Sequence, residues 1–243
     1  MLERLRSHLS RSFYKPGITG VLINPFHIAR RGLYRCVQRM ASHCTGSIVD
    51  IGCGTKPYVQ LFDCAEYLGL DLPRQTSNTN IAADLFFDGK NLPLADESFD
   101  NAVTFQVFEH VFTPDLFLKE IHRVLKPNGH LLLTVPFVWD EHEQPYDFAR
   151  YSSFGLKAVL EKAGFEIVES HKAAANISVL FQLTNDYLYK VLFTRNPIVN
   201  MFLAVLLTFP ITLLGIVLGW LLPDNEDLYL DNVILARKVA PPL

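Results

Sequence analysis

Short apolar segments recur along most of the chain, and several of them end in a glycine or an acidic residue. Apolar segments this short, without helical periodicity, are typical of strands that a parallel sheet buries on both faces. We therefore predict strands at 47–52, 67–72, 81–85, 99–106, 130–137 and 165–170. The segment Leu228–Lys238 has the same character and is the candidate for a further strand.

Two segments between these strands have helical periodicity and capping signals. The first begins after Thr113, with Pro114 at the first helical position. Its apolar positions recur every three or four residues and are Phe117, Leu118, Ile121, Val124 and Leu125. The second helix begins at Ser152 or Ser153 and ends at Gly164. Strands that alternate with helices indicate an α/β fold with a parallel sheet and helices on both faces.

Two regions lie outside this alternating pattern. Residues 1–45 predict a helical N-terminal arm, with breaks at Lys15–Gly17 and Asn24–Phe26. Between the sixth and last predicted strands, the chain is apolar and aromatic over about 50 residues. The predicted domains are therefore an arm at 1–45, an α/β domain formed by 46–175 and 228–240, and an apolar helical insert at 176–227.

The loop after the first predicted strand contains Gly52 and Gly54, which allow a tight turn and a close approach to a ligand. Asp50 precedes this loop, and Asp71 ends the second strand, where a carboxylate can hold both hydroxyls of a ribose. A dinucleotide-binding loop would carry its third glycine where Pro57 stands, and the P-loop motif is also absent. The loop thus indicates an adenosine-containing ligand without identifying it.

Later motifs indicate which adenosine-containing ligand the loop binds. Asp84 follows the third predicted strand, and Phe108–Val111, "FEHV", follows the fourth. Together with "VDIGCGT" and "LGLDL", they make residues 46–172 and the last strand resemble the class I S-adenosylmethionine-dependent methyltransferases, in particular the type 11-like branch. The resemblance implies a Rossmann-like sheet of seven strands, mostly parallel with an antiparallel last strand, and S-adenosyl-L-methionine as cofactor.

The resemblance also implies which residues contact the methionine side of the cofactor. Asp50, Gly52 and Gly54 would line it, and Gln106 would border it from the end of the fourth strand. Lys56 stands where many family members carry a third glycine. We therefore expect a wider loop there, or a lysine that reaches the acceptor or solvent.

The adenosine side is implied in the same way. Asp71 would bind the ribose, and Leu72 would lie beside the adenine. Asp84 would accept a hydrogen bond from the adenine amino group, which Leu85 would flank.

The loop that follows the fifth predicted strand is the candidate acceptor site, since loops at the carboxyl ends of parallel strands carry substrate groups. Transfer of a methyl group requires alignment and, for an oxygen acceptor, a base. His142 is the candidate catalytic base, because its unperturbed pKa lies near neutrality. The candidate substrate-binding residues are Glu141, Glu143, Tyr146, Asp147 and Arg150. The alternative is a polar surface loop in which Arg150 pairs with Asp147 or Glu143. No metal is expected, because no metal-ligand spacing is present.

The uncharged segment Ile198–Leu222 has 25 residues and could span a bilayer by length alone. A single crossing would place the last strand on the wrong side of the membrane. Pro210 divides the segment into two halves that are each too short to span, which predicts a hairpin that enters one leaflet and turns at Pro210. Three alternatives remain: a dimer interface, a lid over an apolar acceptor pocket, and a paired transmembrane hairpin with residues 176–193.

Charge is unevenly distributed along the 243 residues. Residues 1–40 contain eight Lys or Arg and one Glu, a net charge of +7, so the total of −3 leaves −10 for the remainder. A basic arm suggests an anionic membrane surface as partner, although a solvated basic helix face would have the same composition. The cysteines Cys36, Cys44, Cys53 and Cys64 have neither disulfide nor zinc spacing and fit a reducing compartment.

The expected function is S-adenosylmethionine-dependent methyl transfer, by preference to oxygen, at the cytoplasmic face of a membrane. The expected acceptor is lipidic or lipid-linked, either a glycan hydroxyl or a polyprenyl or quinone precursor. Residues 198–222 and the basic arm would contact the membrane. A second copy of the chain, forming a homodimer, is a further candidate partner. Nucleic acid is not expected, because the α/β domain is acidic and the arm lacks an aromatic platform. The alternatives are a non-catalytic membrane assembly partner of the same fold and, less favoured, a nucleotide-dependent oxidoreductase.

Overall fold

The computed structural model describes residues 17–73 and 81–239, so the predictions for residues 1–16 lie outside the described part. The chain divides into two compact units, each built from two stretches of sequence. The larger, here the sheet unit, contains Cys36–His171 and Asn232–Leu243. The smaller, here the helical unit, contains Met1–Arg35 and Lys172–Asp231, so the predicted arm groups with the predicted insert as far as Arg35.

A mixed sheet of seven strands has the order β3-β2-β1-β4-β5-β7-β6. The strands are β1 Ser47–Ile51, β2 Glu66–Asp71, β3 Leu85–Phe86, β4 Phe99–Phe105, β5 Leu125–Pro136, β6 Phe165–Ala173 and β7 Asp231–Lys238. Strand β1 pairs in parallel with both β2 and β4, and β4 pairs in parallel with β5. The predicted third strand at 81–85 is too long and too early, because only Leu85 and Phe86 pair with β2.

The last strand runs antiparallel to β6. The amide of Leu230 donates to the carbonyl of Ala173 at 3.0 Å, and the amide of Val239 donates to the carbonyl of Gly164 at 2.9 Å. As the residue number rises on one strand it falls on the other, which defines an antiparallel pair. The Rossmann-like fold implied by the resemblance is therefore confirmed.

The predicted helices of the sheet unit are confirmed by α3 Pro114–Val124 and α4 Ser153–Lys162. The apolar face of α3 is buried in the core of the unit, as the periodicity requires. Helix α4 begins where Ser152 caps it, with the hydroxyl accepting from the amide of Gly155 at 3.2 Å. These helices cover the sheet and leave the carboxyl ends of its strands accessible to the loops that carry the candidate site.

Helices account for nearly all of the described part of the helical unit. They are α1 Ile18–Ile23, the first part of α2 His27–Met40, α5 Ser178–Leu192, α6 Pro197–Leu203 and α7 Phe209–Leu221. A π-helical turn, Ala204–Thr208, joins α6 to α7, so that Pro197–Leu221 is one continuous helix of 25 residues. It is strongly apolar, and most of it is not buried. By length and composition it could cross a membrane.

The predicted turn at Pro210 is wrong. Within the π turn the hydrogen-bonding pattern widens, and the amide of Phe209 donates to the carbonyl of Ala204, five residues earlier. Pro210 then falls in the first turn of α7, where its missing N–H does not interrupt the helix. The chain reverses direction instead at 193–196, between α5 and α6.

Helices α5 and α7 pack closely through small and polar residues. A Cβ atom at Gly215 would lie 2.7 Å from the Cβ of Phe181, so only glycine allows this approach. The Asn185 amide donates to the hydroxyl of Thr212 at 2.8 Å in the buried space between the helices. Hydrogen bonds and close packing, more than large apolar side chains, therefore fix the register of this helix pair.

Replacing Gly215 by alanine tests this packing. Because the added methyl group collides with a backbone-proximal atom of Phe181, we expect the helical unit to lose about 1–3 kcal/mol of unfolding free energy. The fluorescence of Trp220 on α7, recorded during urea unfolding in a Trp139→Phe background, would report on this unit. Gly155→Ala at an exposed position of α4 is the matched control and should be neutral or slightly stabilising. Equal unfolding curves for Gly215→Ala and its background would contradict the packing argument.

Candidate active site

The predicted site residues all belong to the sheet unit and follow the carboxyl ends of its parallel strands. The loops after β1, β2, β4 and β5 meet at one edge of the sheet, because these strands are parallel neighbours. One side of this edge carries the residues implied for the cofactor, and the loop after β5 carries those predicted for the acceptor.

The glycine loop has the backbone conformation that its sequence requires. Gly52 and Gly54 have φ angles of +75° and +51°, in the region where a side chain causes strain. A Cβ at Gly54 would meet no atom within 4 Å, so the loop borders open space. The carboxylate of Asp71 anchors the loop, since one oxygen accepts the amide of Gly54 at 2.8 Å and the other accepts that of Leu72 at 2.7 Å.

Asp50 is a buried acid with one unsatisfied oxygen. Its Oδ2 accepts a hydrogen bond from the Tyr67 hydroxyl at 2.8 Å, whereas Oδ1 has no hydrogen-bond partner among the described residues. Burial raises the pKa of this carboxyl to about 7, against the lowering effects of Tyr67 and Lys56. A ligand that brings a positive charge or an N–H donor to Oδ1 would complete this environment.

Lys56 forms an ion pair with Asp84, the acid implied for the adenine. It adopts a φ of +52°, a conformation normally taken by glycine, and its ammonium group donates to Oδ2 of Asp84 at 2.5 Å. The amide of Gly69 donates to the same oxygen at 2.7 Å, and the hydrogen bond from Lys56 is the main reason that the pKa of Asp84 is lowered. The expectation of a lysine directed at acceptor or solvent is therefore wrong, whereas the expected width of the loop stays a prediction. Leu72 and Leu85 expose their side chains at the ends of β2 and β3, as residues that flank a flat ring would.

Gln106 also has an uncommon backbone conformation. Its φ is +56°, and its amide donates to the carbonyl of Thr134 at 3.0 Å. Its side chain donates to the Thr134 hydroxyl at 3.2 Å. Non-glycine residues held at positive φ cluster at functional sites, and this one lies directly after β4, beside the glycine loop.

The acceptor loop is held by a bidentate ion pair. The guanidinium of Arg150 contacts both oxygens of Asp147, at 2.6 and 2.7 Å, and also donates to the carbonyl of Asp140 at 2.8 Å. The pair holds the pKa of Asp147 down at about 2. The structure thus contains the Arg150–Asp147 pair that was the alternative to substrate binding. Glu141, Glu143 and Tyr146 are exposed on the same loop, and their predicted role stays untested.

His142 lies beside Glu109, a buried acid of the "FEHV" motif that was expected to shape the site together with His110. Glu109, in the short turn Phe108–His110 after β4, is completely buried, and its Oε1 lies 3.7 Å from Nε2 of His142. The same oxygen lies 3.8 Å from Nε2 of His110. The Glu109 carboxylate raises the pKa of His142. The signal in the sequence was an acid placed directly after the aromatic Phe108 at a strand end, within the quoted "FEHV" motif.

Comparison with known proteins identifies the class. Residues 49–133 match the family model described as a methyltransferase domain. This segment is therefore a methyltransferase domain, and the surrounding sheet has the class I fold of methyltransferases that use S-adenosylmethionine as cofactor.

Individual relatives agree with this assignment. A probable S-adenosylmethionine-dependent methyltransferase of Mycolicibacterium smegmatis is 32% identical over 147 residues, 55% of this chain and 57% of that protein. An O-methyltransferase of Aspergillus nomiae is 29% identical over 156 residues, 54% of this chain and 69% of that protein. The chain thus spans little more than half the length of the first relative. A phosphoethanolamine N-methyltransferase of Haemonchus contortus, solved with S-adenosyl-L-methionine, superposes with a TM-score of 0.57 at 16% identity, over 96% of this chain and 57% of that chain.

The residues present fit this cofactor. The open space beside Gly54 admits a ligand close to the backbone, and the free oxygen of Asp50 suits the ammonium group of a methionyl moiety. Asp71 is at the position where a carboxylate can hold a ribose, with Leu72 and Leu85 beside it for the adenine.

The pKa of Asp50 predicts a pH dependence of cofactor affinity. Its carboxyl is mostly protonated at pH 6 and mostly ionised at pH 8, and only the ionised form attracts an ammonium group. We expect S-adenosylhomocysteine to bind roughly tenfold more tightly at pH 8 than at pH 6, because the ionised fraction rises by about that factor across a pKa near 7. Asp50→Asn should weaken binding at pH 8 and remove the pH dependence. Calorimetric titration at the two pH values measures both effects, and an unchanged pH dependence in the variant would contradict this role.

Proposed function

We propose that this protein is an S-adenosylmethionine-dependent O-methyltransferase that acts on a lipidic or lipid-linked acceptor at the cytoplasmic face of a membrane. The observation that carries the proposal is the joining, in one chain, of a methyltransferase domain to a largely exposed apolar helix of 25 residues. The acceptor is either a glycan hydroxyl or a polyprenyl or quinone precursor.

The chemistry requires an aligned acceptor oxygen that has lost its proton. When bound, S-adenosylmethionine supplies an electrophilic methyl group on a sulfonium, and the C–S bond breaks with its electron pair going to sulfur. His142 activates the acceptor hydroxyl by taking its proton at Nε2. The carboxylate of Glu109, 3.7 Å from that nitrogen, stabilises the imidazolium that forms. Transfer to oxygen is further supported by the O-methyltransferase among the relatives.

The surface of the helical unit supports membrane contact. Large apolar side chains on its helices are exposed, including Val191, Ile198, Phe202, Leu206, Leu213 and Trp220. Exposed apolar surface of this kind marks a membrane or protein partner. None of the four cysteines forms a disulfide, which favours the reducing, cytoplasmic side.

Helix lengths favour an interfacial position over a paired span. Helix α5 has 15 residues and is about 22 Å long, shorter than the roughly 30 Å of a hydrocarbon core. The turn that follows it is flanked by exposed Lys190 and Arg195, which a complete crossing would place on the far side. In an interfacial position, the same cations contact anionic headgroups while the apolar face enters one leaflet.

Radiolabelled methyl transfer tests the proposed reaction. Full-length protein is incubated with methyl-labelled S-adenosylmethionine and, separately, a membrane lipid extract, a water-soluble extract or total tRNA. We expect label in the lipid fraction and a loss of about 100-fold or more for His142→Gln, the usual contribution of acid–base catalysis. S-adenosylhomocysteine affinity should not change in this variant. Label confined to tRNA or to the soluble extract would overturn the lipid acceptor; absence of label anywhere, with cofactor binding intact, would favour a non-catalytic assembly partner.

Flotation with lipid vesicles tests membrane contact independently of activity. We expect the protein to float with vesicles that contain anionic lipid and to float less with purely zwitterionic ones. Leu206→Glu together with Trp220→Glu should abolish flotation, because both charges would enter the apolar phase. Phe154→Glu, at an equally exposed aromatic in the sheet unit, is the matched control, since Phe154 and Trp220 are 84% and 82% exposed. A stable dimer in detergent-free buffer that ignores vesicles would instead assign the apolar surface to self-association.

A further inference from the structure

Three side chains on the acceptor side of the sheet edge converge on one point. Glu109, His110 and His142 each offer one ligand atom, and the three atoms lie within 4.8 Å of one another. They come from two separate loops, the turn after β4 and the loop after β5, so neighbouring positions in sequence do not explain the whole cluster.

The carboxylate at the centre of this cluster is unsatisfied. Glu109 is completely buried, and neither of its oxygens has a hydrogen-bond partner among the described residues. The imidazole nitrogens that face Oε1 are 3.7 and 3.8 Å away, beyond hydrogen-bonding distance. A buried carboxylate without donors is costly, so this arrangement calls for a cation between the three groups.

The outer nitrogens of both histidines already face acceptors. Nδ1 of His110 lies 2.7 Å from the carbonyl of Tyr146. Nδ1 of His142 lies 3.2 Å from the carbonyl of Asp140 and 3.4 Å from Oδ2 of Asp147. Because these oxygens only accept, each Nδ1 carries the hydrogen, and Nε2 of each ring faces Glu109.

Arg150 does not alter this assignment. Its Nη2 lies 3.5 Å from Nδ1 of His142, at the limit of a hydrogen bond. The same nitrogen donates at shorter distances to Asp147, at 2.7 Å, and to the carbonyl of Asp140, at 2.8 Å.

Such outer contacts are the usual surroundings of metal-binding histidines. A histidine ligand commonly donates its other N–H to a carboxylate or a backbone carbonyl, which fixes the tautomer and the ring orientation. Here Asp147, Asp140 and Tyr146 provide those acceptors. Arg150 holds Asp147 through two hydrogen bonds, so the groups that orient the histidines are themselves fixed in place.

We propose that Glu109, His110 and His142 bind one divalent transition metal, with Zn²⁺ as the first candidate. Two imidazoles and one carboxylate form a ligand set of catalytic zinc sites, which keep a further position open. Zinc–ligand bonds of about 2.0–2.1 Å separate tetrahedral ligand atoms by about 3.3–3.5 Å. The 3.7 and 3.8 Å separations from Glu109 lie close to this range, and all three ligand atoms lie within 4.8 Å of one another. The His110 and His142 side chains are 20% and 29% exposed, which leaves the site reachable. Imidazole ligands disfavour Mg²⁺.

The role of this metal rests on the proposed function, whereas its binding does not. An acceptor hydroxyl at the open position would lose its proton to water more readily, since the metal stabilises the resulting anion. That oxygen forms the new C–O bond as the methyl–sulfur bond breaks, with the electron pair going to sulfur. In the metal-loaded protein His142 is then a ligand instead of the base.

Metal binding by the full-length protein is tested without cofactor or acceptor. Protein freed of metal by a chelator is titrated with Zn²⁺ by calorimetry and with Co²⁺ by absorbance. We expect one site, with tetrahedral cobalt bands and no thiolate-to-cobalt band, since the cysteines are not involved. Glu109→Gln and His110→Ala should each weaken binding at least tenfold. His171→Ala, which removes a histidine paired with Glu169 elsewhere on the sheet unit, is the matched control and should bind as wild type.

The outcomes separate the two proposals. Equal affinity in wild type, His110→Ala and the control, or a thiolate band, overturns the metal site and leaves methyl transfer to be judged on its own assay. One site lost in the variants, without methyl transfer to any acceptor, supports the metal site and counts against the proposed reaction. S-adenosylhomocysteine binding and circular dichroism check folding. If Glu109→Gln does not fold, His110→Ala decides the question, because His110 is partly exposed.

Discussion

The return of β7 to the sheet is the constraint on which the rest of the structure depends. Hydrogen bonds from Leu230 to Ala173 and from Val239 to Gly164 hold β7 antiparallel to β6, between β6 and β5. The chain between β6 and β7 must therefore leave the sheet and return to it on the same side of any membrane that it enters. This is why an apolar helix of 25 residues, Pro197–Leu221, cannot be treated as a simple membrane span, and why α5 accompanies it.

Much of the fold could be predicted from sequence, because its signals are local. The capping serine of α4, the apolar face of α3 and the glycines of the loop after β1 depend on neighbours a few residues away. The turn at Pro210 was wrong because proline alone does not reveal the hydrogen-bonding pattern of the preceding turn. A π turn at Ala204–Thr208 precedes Pro210, so the proline falls in the first turn of α7 and the helix continues through it.

The site was predictable in part for the same reason. The motif order located Asp50, Asp71 and Asp84 at one sheet edge, but it could not show what each carboxylate contacts. Lys56 is the example: its sequence position suggested a lysine directed at acceptor or solvent, whereas the fold brings Asp84, 28 residues later, within 2.5 Å of its ammonium group. Glu109 and His142 are 33 residues apart along the chain, so no local sequence pattern predicts their contact.

Two buried carboxyl groups, those of Asp50 and Glu109, identify the candidate site more specifically than any sequence motif. Asp50 on the cofactor side and Glu109 on the acceptor side each have at least one oxygen without a hydrogen-bond partner among the described residues. A soluble domain tolerates such groups where a ligand completes them. The two differ in their surroundings: Asp50 faces the open glycine loop, which suits an organic cation, whereas Glu109 faces Nε2 of two imidazoles, the arrangement proposed to bind a metal ion. The same physical deficit, a buried carboxyl oxygen without a hydrogen-bond partner, is therefore the basis of both proposals, the organic cation at Asp50 and the metal ion at Glu109.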